Sequence, residues 1–342
     1  ATLQGNQAVW ELAQTAKASP ALAQRLASEP LPAVEELATL EGGEAFAEEM
    51  EHYLTAYGGR TTGWTISTPT LRERPDLMLE LVRRTIAEDL PEPAALVSAA
   101  AARREATAEE VETRFAADLA KLATFRQLLS RQEPYLGVKE GRALQQLTLG
   151  GALRGAILRR GQRLEQSGAI EQVDDVFYLL PNEIDAAMAS PALPEVERET
   201  LRDRVVERRA EHEHWLSKTP PEMIGAGADI KEEARPAELH GIGVSRGIAT
   251  GRARVLATYE ENARLAPGDI LVCGTTTPTW TPLFAIAAAV VAEGGGLLSH
   301  TAIAAREYGI PAVAGVRGAT RYIPDGAIVT IDGTAGTVTL SA

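Results

Sequence analysis

The chain has 342 residues, 45% of them apolar, 24% charged and 5% aromatic, with a formal charge of −13. This is enough apolar material for one or two cores, and it excludes a disordered tail, a collagen-like fibre and a disulfide-stapled miniprotein. The negative charge argues against a nucleic-acid partner, whose phosphates it would repel. The single cysteine, Cys273, excludes an internal disulfide and a cysteine-based zinc site, and it fits a reducing compartment, so a cytoplasmic location is expected. The longest apolar run, LFAIAAAVVA at 283–292, is far short of the ~20 residues that span a bilayer. No basic-plus-hydrophobic leader opens the sequence, and no membrane partner is expected.

The first part of the chain reads as helices. From Glu110 the apolar positions Val111, Phe115, Leu119, Leu122, Phe125 and Leu129 recur every three or four residues, one face of a helix. Thr107 with Glu110 predicts a capping-box start, and Pro134 predicts its close. A second run holds Leu153, Ile157 and Leu164 and ends near Gly168. A third, Glu195–Leu216, is heavily charged with sparse apolar positions at Leu201, Val205 and Trp215, an amphipathic helix on the bundle surface.

After Gly241 the texture changes. Residues 241–342 hold seven Arg, no Lys, seven acidic residues and 15 of the 30 glycines, so the whole −13 resides in 1–240. Short β-branched runs predict strands at Ile248–Leu256, Ile270–Cys273, 290–292, 327–331 and Thr337–Leu340. Helical segments are predicted at 280–288 and His300–Tyr308, with turns at Pro324-Asp325-Gly326 and Asp332-Gly333. The expected architecture is multidomain. An all-α helical domain over 1–217 is followed by a flexible linker over 218–240 and a small mixed α/β domain over 241–342. Extended at ~3.3 Å per residue, that linker would reach roughly 75 Å.

The segment with chemistry in it is EGGGLLSHTAIAAREYGIPAVAG, residues 293–315. Glycines follow a buried strand, Ser299 is a natural N-cap, and His300 falls at the first helical position. The free N–H groups of that first turn would face whatever sits on the imidazole, which makes an anion site suited to a phosphoryl group. A neutral imidazole needs little activation near pH 7, so the larger gain lies in holding a phosphoryl charge of about −2 at those amides. From spacing alone, a surface histidine that happens to open a helix is the more common reading, because glycine-rich strand-to-helix turns are frequent.

The run GGLLSHTAIAARE followed by GIPAVAG resembles the phosphohistidine signature of the swivelling domain of the phosphoenolpyruvate-utilising family. The flanking TTTPTWTPLFAI at 275–286 and GIGVSRGIATGRAR at 241–254 are also similar to that domain. The helical segments DDVFYLLPNEI (174–184), LRGAILRRGQRL (153–164) and YLTAYGGRTTGWTISTPTLRERP (53–75) resemble the rifampin phosphotransferase and phenylphosphate synthase branch. Leu298 favours that branch over the dikinases, while Ala292 departs from the family's usual Thr.

The resemblance implies that His300 is a catalytic carrier histidine, with Gly295, Gly296, Ser299, Thr301 and Arg306 around its phosphate. It also implies that the helical domain binds a small alcohol or phenol acceptor. Lys139 and Glu140 match a family Arg-Glu pair, with Arg142 and Trp64 as further acceptor-site candidates. Glu140 is a candidate base or a surface ion pair, Trp64 lines a cleft or packs a loop, and Arg306 neutralises phosphate or pairs with a carboxylate. No GxxxxGK[ST] motif is present and no Lys follows Lys231, so ATP and Mg are expected on a partner ATP-grasp nucleotide-binding subunit or domain, with no cofactor on this chain. The expected function is the histidine-bearing component of an ATP-dependent phosphotransferase, with dehydration of the activated alcohol as a variant outcome. The alternative is a phosphocarrier or regulatory module with no small-molecule acceptor. No metal site is expected, since His212 and His214 are two apart on a helix and do not share a face.

Overall fold

The computed structural model describes residues 2–190, 192–216, 218 and 238–341; for Thr2, Leu3, Glu133, Leu136, Lys139 and Glu140 it describes the backbone and not the side chain. Among the described residues the helices come first: α1 (Thr2–Ala18), α2 (Pro20–Leu26), α3 (Val34–Ala38), α4 (Gly43–Ala56), α5 (Pro75–Ala87), α6 (Pro93–Phe115), α7 (Leu119–Gln166), α8 (Pro181–Ala189) and α9 (Glu195–Leu216). Then come β1 (Glu238–His240), β2 (Ile242–Ser245), β3 (Ile248–Leu256), β4 (Ile270–Cys273), β5 (Ala289–Ala292), α10 (His300–Tyr308), β6 (Ala312–Ala314), α11 (Ala319–Tyr322), β7 (Ile328–Asp332) and β8 (Thr337–Leu340). The helical region followed by mixed α/β structure is as the sequence predicts. Most of the expected linker, 219–237, lies outside the described residues, but Glu238–His240 at its end form β1, paired with β8.

The helix boundaries within 107–166 differ from expectation. Thr107 is inside α6, where its hydroxyl donates to the Arg103 carbonyl at 2.8 Å. A Thr-x-x-Glu spacing marks a start only where the preceding backbone is not already helical. The break falls instead at 116–118, where Asp118 accepts from the Lys121 backbone N–H and opens α7. Pro134 does not close the segment but lies within α7. It is on an exposed stretch, where water can meet the carbonyl left without a donor.

The described residues form two compact units: Ala1–Trp64, Thr68–Leu149 and Arg235–Ala342 make the first, and Thr65–Ser67 with Gly150–Ala234 the second. In the first unit the strand order is β1-β8-β7-β3-β4-β5-β6-β2, with β3 to β6 parallel and the outer pairs antiparallel. Both faces of the parallel part are covered, as parallel sheets require. Leu271, Cys273, Val290 and Ala292 point into one core. Their alternates Ile270, Val272, Ala289 and Val291 point into another beneath α11. The first of these cores is continuous with Leu12 of α1, Phe46 and Met50 of α4, and Leu81 and Val82 of α5. The change of composition at residue 241 therefore falls inside a shared core.

The second unit has its own core, built on Leu164, Ile170, Val176, Ile184, Leu201 and Val205. Leu201 and Val205 are the buried positions expected of α9, whereas Trp215 is exposed. Glu183 ties α8 to α9. Its carboxylate accepts from the Leu180 N–H at 2.7 Å and from Arg204 and Arg208 at 2.6–2.9 Å. The Arg208 guanidinium holds this carboxyl down at about 2.

Two outcomes follow for stability. Glu183 is charged in the folded chain well below the ~4.3 of an unfolded glutamate, so its stabilisation is complete above that pH and is lost as pH falls towards 2. Hydrogen exchange of α9 should accelerate over that window in the wild type and be nearly flat across it in Glu183→Gln. Leu12→Ala should lower stability by about 2–5 kcal/mol and open exchange in the β-sheet as well as in α1, because they share a core.

Candidate functional site

The site is at the carboxyl ends of β4 and β5, where open parallel sheets hold ligands. Pairing continues past the strands: the Glu293 N–H donates to the Cys273 carbonyl at 3.0 Å and the Gly294 N–H to the Gly274 carbonyl at 2.8 Å. The chain then turns sharply. Gly295 has φ +104, and a Cβ there would be 2.8 Å from Cβ and Oγ of Ser299. Only glycine accepts both that conformation and that approach. A Ser299 N–H bond to the Gly296 carbonyl at 2.9 Å closes the turn.

Ser299 caps α10, its hydroxyl accepting from the Ala302 N–H at 3.3 Å, and His300 is the first helical residue. The imidazole is half-buried, edge-on to Phe284 at 6.5 Å between centroids. Its Nε2 is 3.2 Å from the hydroxyl of Thr281, a fully buried residue. That hydroxyl donates to the Pro278 carbonyl at 2.7 Å, which leaves its oxygen as the atom available to accept from Nε2. Thr281 lies in TTTPTWTPLFAI without standing out there, and only the 3₁₀ path of Pro278–Ala285 aims it at the ring. That segment was expected as a helix over 280–288; Pro282 inside it removes a backbone donor and holds it to 3₁₀ turns.

The other expected site residues divide. Gly295 and Ser299 shape the turn beneath His300, while Gly296 has an ordinary backbone and room for a Cβ against Ile242 at 3.8 Å. The Thr301 side chain is buried, its hydroxyl 2.8 Å from that of Thr276. Thr301 can therefore offer an anion its backbone and not its hydroxyl. Among the described residues Arg306 pairs with no carboxylate. Its Nε donates to the Ala302 carbonyl at 2.9 Å and an Nη to the Leu297 carbonyl, strapping the glycine turn to the helix. Its partial burial lowers its pKa from the ordinary arginine value. Trp64 is 42% exposed and Arg142 exposed; neither lines the cleft beside Asn6 and Trp10 or the one beside Tyr53 and Arg60. The side chains of Lys139 and Glu140 lie outside the described residues.

Further contacts fix α10 from the helical region of the same unit. Asn6 of α1 donates to the Tyr308 hydroxyl at 2.8 Å, and Arg103 of α6 donates to the carbonyls of Arg306 and Glu307 at the helix C-terminus. The loop before α5 also reaches the site, since Thr277 and Thr279 donate to the carbonyls of Thr62 and Thr61 at 3.2 and 3.3 Å. Among the described residues no cluster of metal-ligating side chains occurs and no helix is long and apolar enough to cross a membrane. Cys273 is buried, which pushes its thiol up to about 12 and leaves it an inert core residue.

Residues 265–336, which include His300, match the family described as PEP-utilising enzyme, mobile domain. Residues 1–140 match the rifampicin phosphotransferase fourth domain. The chain is 31% identical over 321 residues to a rifampicin phosphotransferase of Streptomyces sviceus, covering 89% of this chain and 35% of that protein. It is 37% identical over 201 residues to an uncharacterized phosphotransferase, YvkC, of Bacillus subtilis, covering 54% and 23%. A chondramide synthase of Chondromyces crocatus is 28% identical over 363 residues, covering 99% and 9%. The chain thus spans about a third or less of the length of these relatives. It is similar over most of its own length to phosphotransferases of the PEP-utilising type.

The turn generates a graded expectation for urea unfolding. Ser299→Ala removes the cap and should cost about 1 kcal/mol. Gly295→Ala forces a side chain into a left-handed position against Ser299, and should cost about 1–3 kcal/mol and loosen exchange in the first turn of α10.

Proposed function

We propose that the chain is the histidine-bearing component of an ATP-dependent phosphotransferase, with His300 as the phosphoryl carrier. The observation that carries this is the position of the imidazole at the first residue of α10, after a Ser299 cap and the Gly295 turn. There the positive end of the α10 dipole favours an anion bound to the ring. The match of residues 265–336 to the mobile domain supports the same role.

A partner ATP-grasp domain with Mg would present ATP. The bond from the γ-phosphorus to the bridging oxygen breaks, a ring nitrogen forms the new bond to phosphorus, and ADP leaves. In the second transfer the N–P bond breaks as the oxygen of an alcohol or phenol takes the phosphoryl group and passes its proton to a base, for which Glu140 is our candidate. Separating the two transfers lets each proceed in line and away from water. A phosphorylated alcohol carries a good leaving group, so elimination of phosphate, a net dehydration, is the variant outcome. Attack through Nε2 needs its proton gone and Thr281 turned away from its present bond. A second proposal, a phosphocarrier serving another protein, draws on the exposure of Trp64 and Arg142.

The test is incubation of the chain with an ATP-grasp partner and γ-labelled ATP. Wild type should gain one acid-labile, base-stable label and His300→Ala none, at unchanged thermal stability. Equal labelling of the two, or an acid-stable label, would contradict the proposal. Release of the label by added phenols or alcohols, but not by added protein, separates transferase from carrier.

A further inference from the structure

In the first unit a small, partly open cleft lies between α1, α4, α5 and the Pro278–Ala285 segment. Its wall is mostly apolar and aromatic, and its only charged group is Arg60. That guanidinium stands 4.8 Å from the ring centroid of Tyr57. Its Nε is buried without a hydrogen-bond partner, and among the described residues no carboxylate pairs with the group. The cation–π contact with Tyr57 does not supply the hydrogen bond that the buried Nε lacks. Burial accordingly draws the Arg60 pKa below the ordinary arginine value.

The neighbouring groups have the same polarity. Tyr53 and Tyr259 are largely buried and both line the cleft. Neither hydroxyl meets a protein partner among the described residues. Burial drives both phenols far above their ordinary range, so they stay neutral O–H donors. Of the other polar wall residues, Thr279 donates its proton to the Thr61 carbonyl and Asn6 its amide to Tyr308. What converges on the cleft is a planar two-pronged cation and two hydroxyl donors, with no facing negative charge. An oxyanion supplies what this arrangement lacks.

We propose that this cleft is a binding site for a small oxyanion, a carboxylate or a phosphate, held by the Arg60 fork and the hydroxyls of Tyr53 and Tyr259. The site is separate from the phosphoryl perch, yet the two share a wall. Pro278 lines the cleft and accepts the Thr281 hydroxyl that touches His300. The site stands whether or not His300 carries phosphate.

Calorimetric titration of the 342-residue chain with inorganic phosphate, acetate and benzoate, at matched ionic strength, tests it, with benzyl alcohol as the uncharged control. Wild type should bind phosphate or one of the carboxylates saturably, and the stronger arm identifies the source. Arg60→Met should weaken that binding at least tenfold, Arg60→Lys less, and Tyr53→Phe several-fold. His300→Ala should bind as wild type does, which separates this site from the α10 N-terminus. No saturable binding of any of the three anions to wild type overturns the proposal. So does equal affinity in wild type and Tyr53→Phe, the variant least disturbing to the fold, or in wild type and a folded Arg60→Met.

Discussion

Gly295 and Ser299 approach so closely that no side chain fits between them, and the geometry of the candidate site follows from that contact. Because the backbone turns at φ +104, β5 delivers the chain to a serine whose oxygen is already at the Ala302 amide. Helix α10 therefore starts at His300 and not a residue earlier or later. A helix starting half a turn later would leave the imidazole outside it, and one starting half a turn earlier would draw the ring back from the positive end of the dipole. The cap is worth only about 1 kcal/mol in stability, but it also fixes where the helix begins.

The surroundings keep that turn from relaxing. Arg306 reaches back to the Leu297 carbonyl, Arg103 meets the far end of α10, and Asn6 holds Tyr308. Beneath the helix, Ala302, Ala304 and Ala305 are buried against the sheet and share a core with α1, α4 and α5. Small residues let the helix lie close, so the height of the ring is set by packing while its rotation is set by Thr281 and Phe284. A swivelling motion of 241–342 alone would have to open this core.

Much of this was legible in the sequence where local chemistry decides it. The strands Ile248–Leu256, Ile270–Cys273 and Thr337–Leu340 and the helices His300–Tyr308 and Glu195–Leu216 occur where β-branched runs, caps and spacing put them. The Ser299 cap and His300 at the helix start were equally readable. Strands β1, β2 and β6 were not, since segments of three or four residues carry no period and form only because a neighbour pairs with them. The Thr107 and Pro134 signals misled because propensity is weak beside the continuity of a long helix. The family resemblance puts Arg306 and Thr301 near the phosphate; in the fold the Arg306 side chain reaches the Leu297 carbonyl and the Thr301 hydroxyl meets that of Thr276. Thr281 and Arg60 could not be singled out at all. Their significance lies in what they face, or in what they lack, and that appears only once distant segments are brought together.

The central claim is that the His300 ring bears the phosphoryl group. The most direct measurement is phosphorus NMR on the charged chain, prepared with histidine labelled with nitrogen-15 in the ring. The account predicts a phosphoramidate signal split by coupling to a ring nitrogen and absent from His300→Ala. An unsplit phosphoester signal, or a split one that survives in His300→Ala, would contradict it.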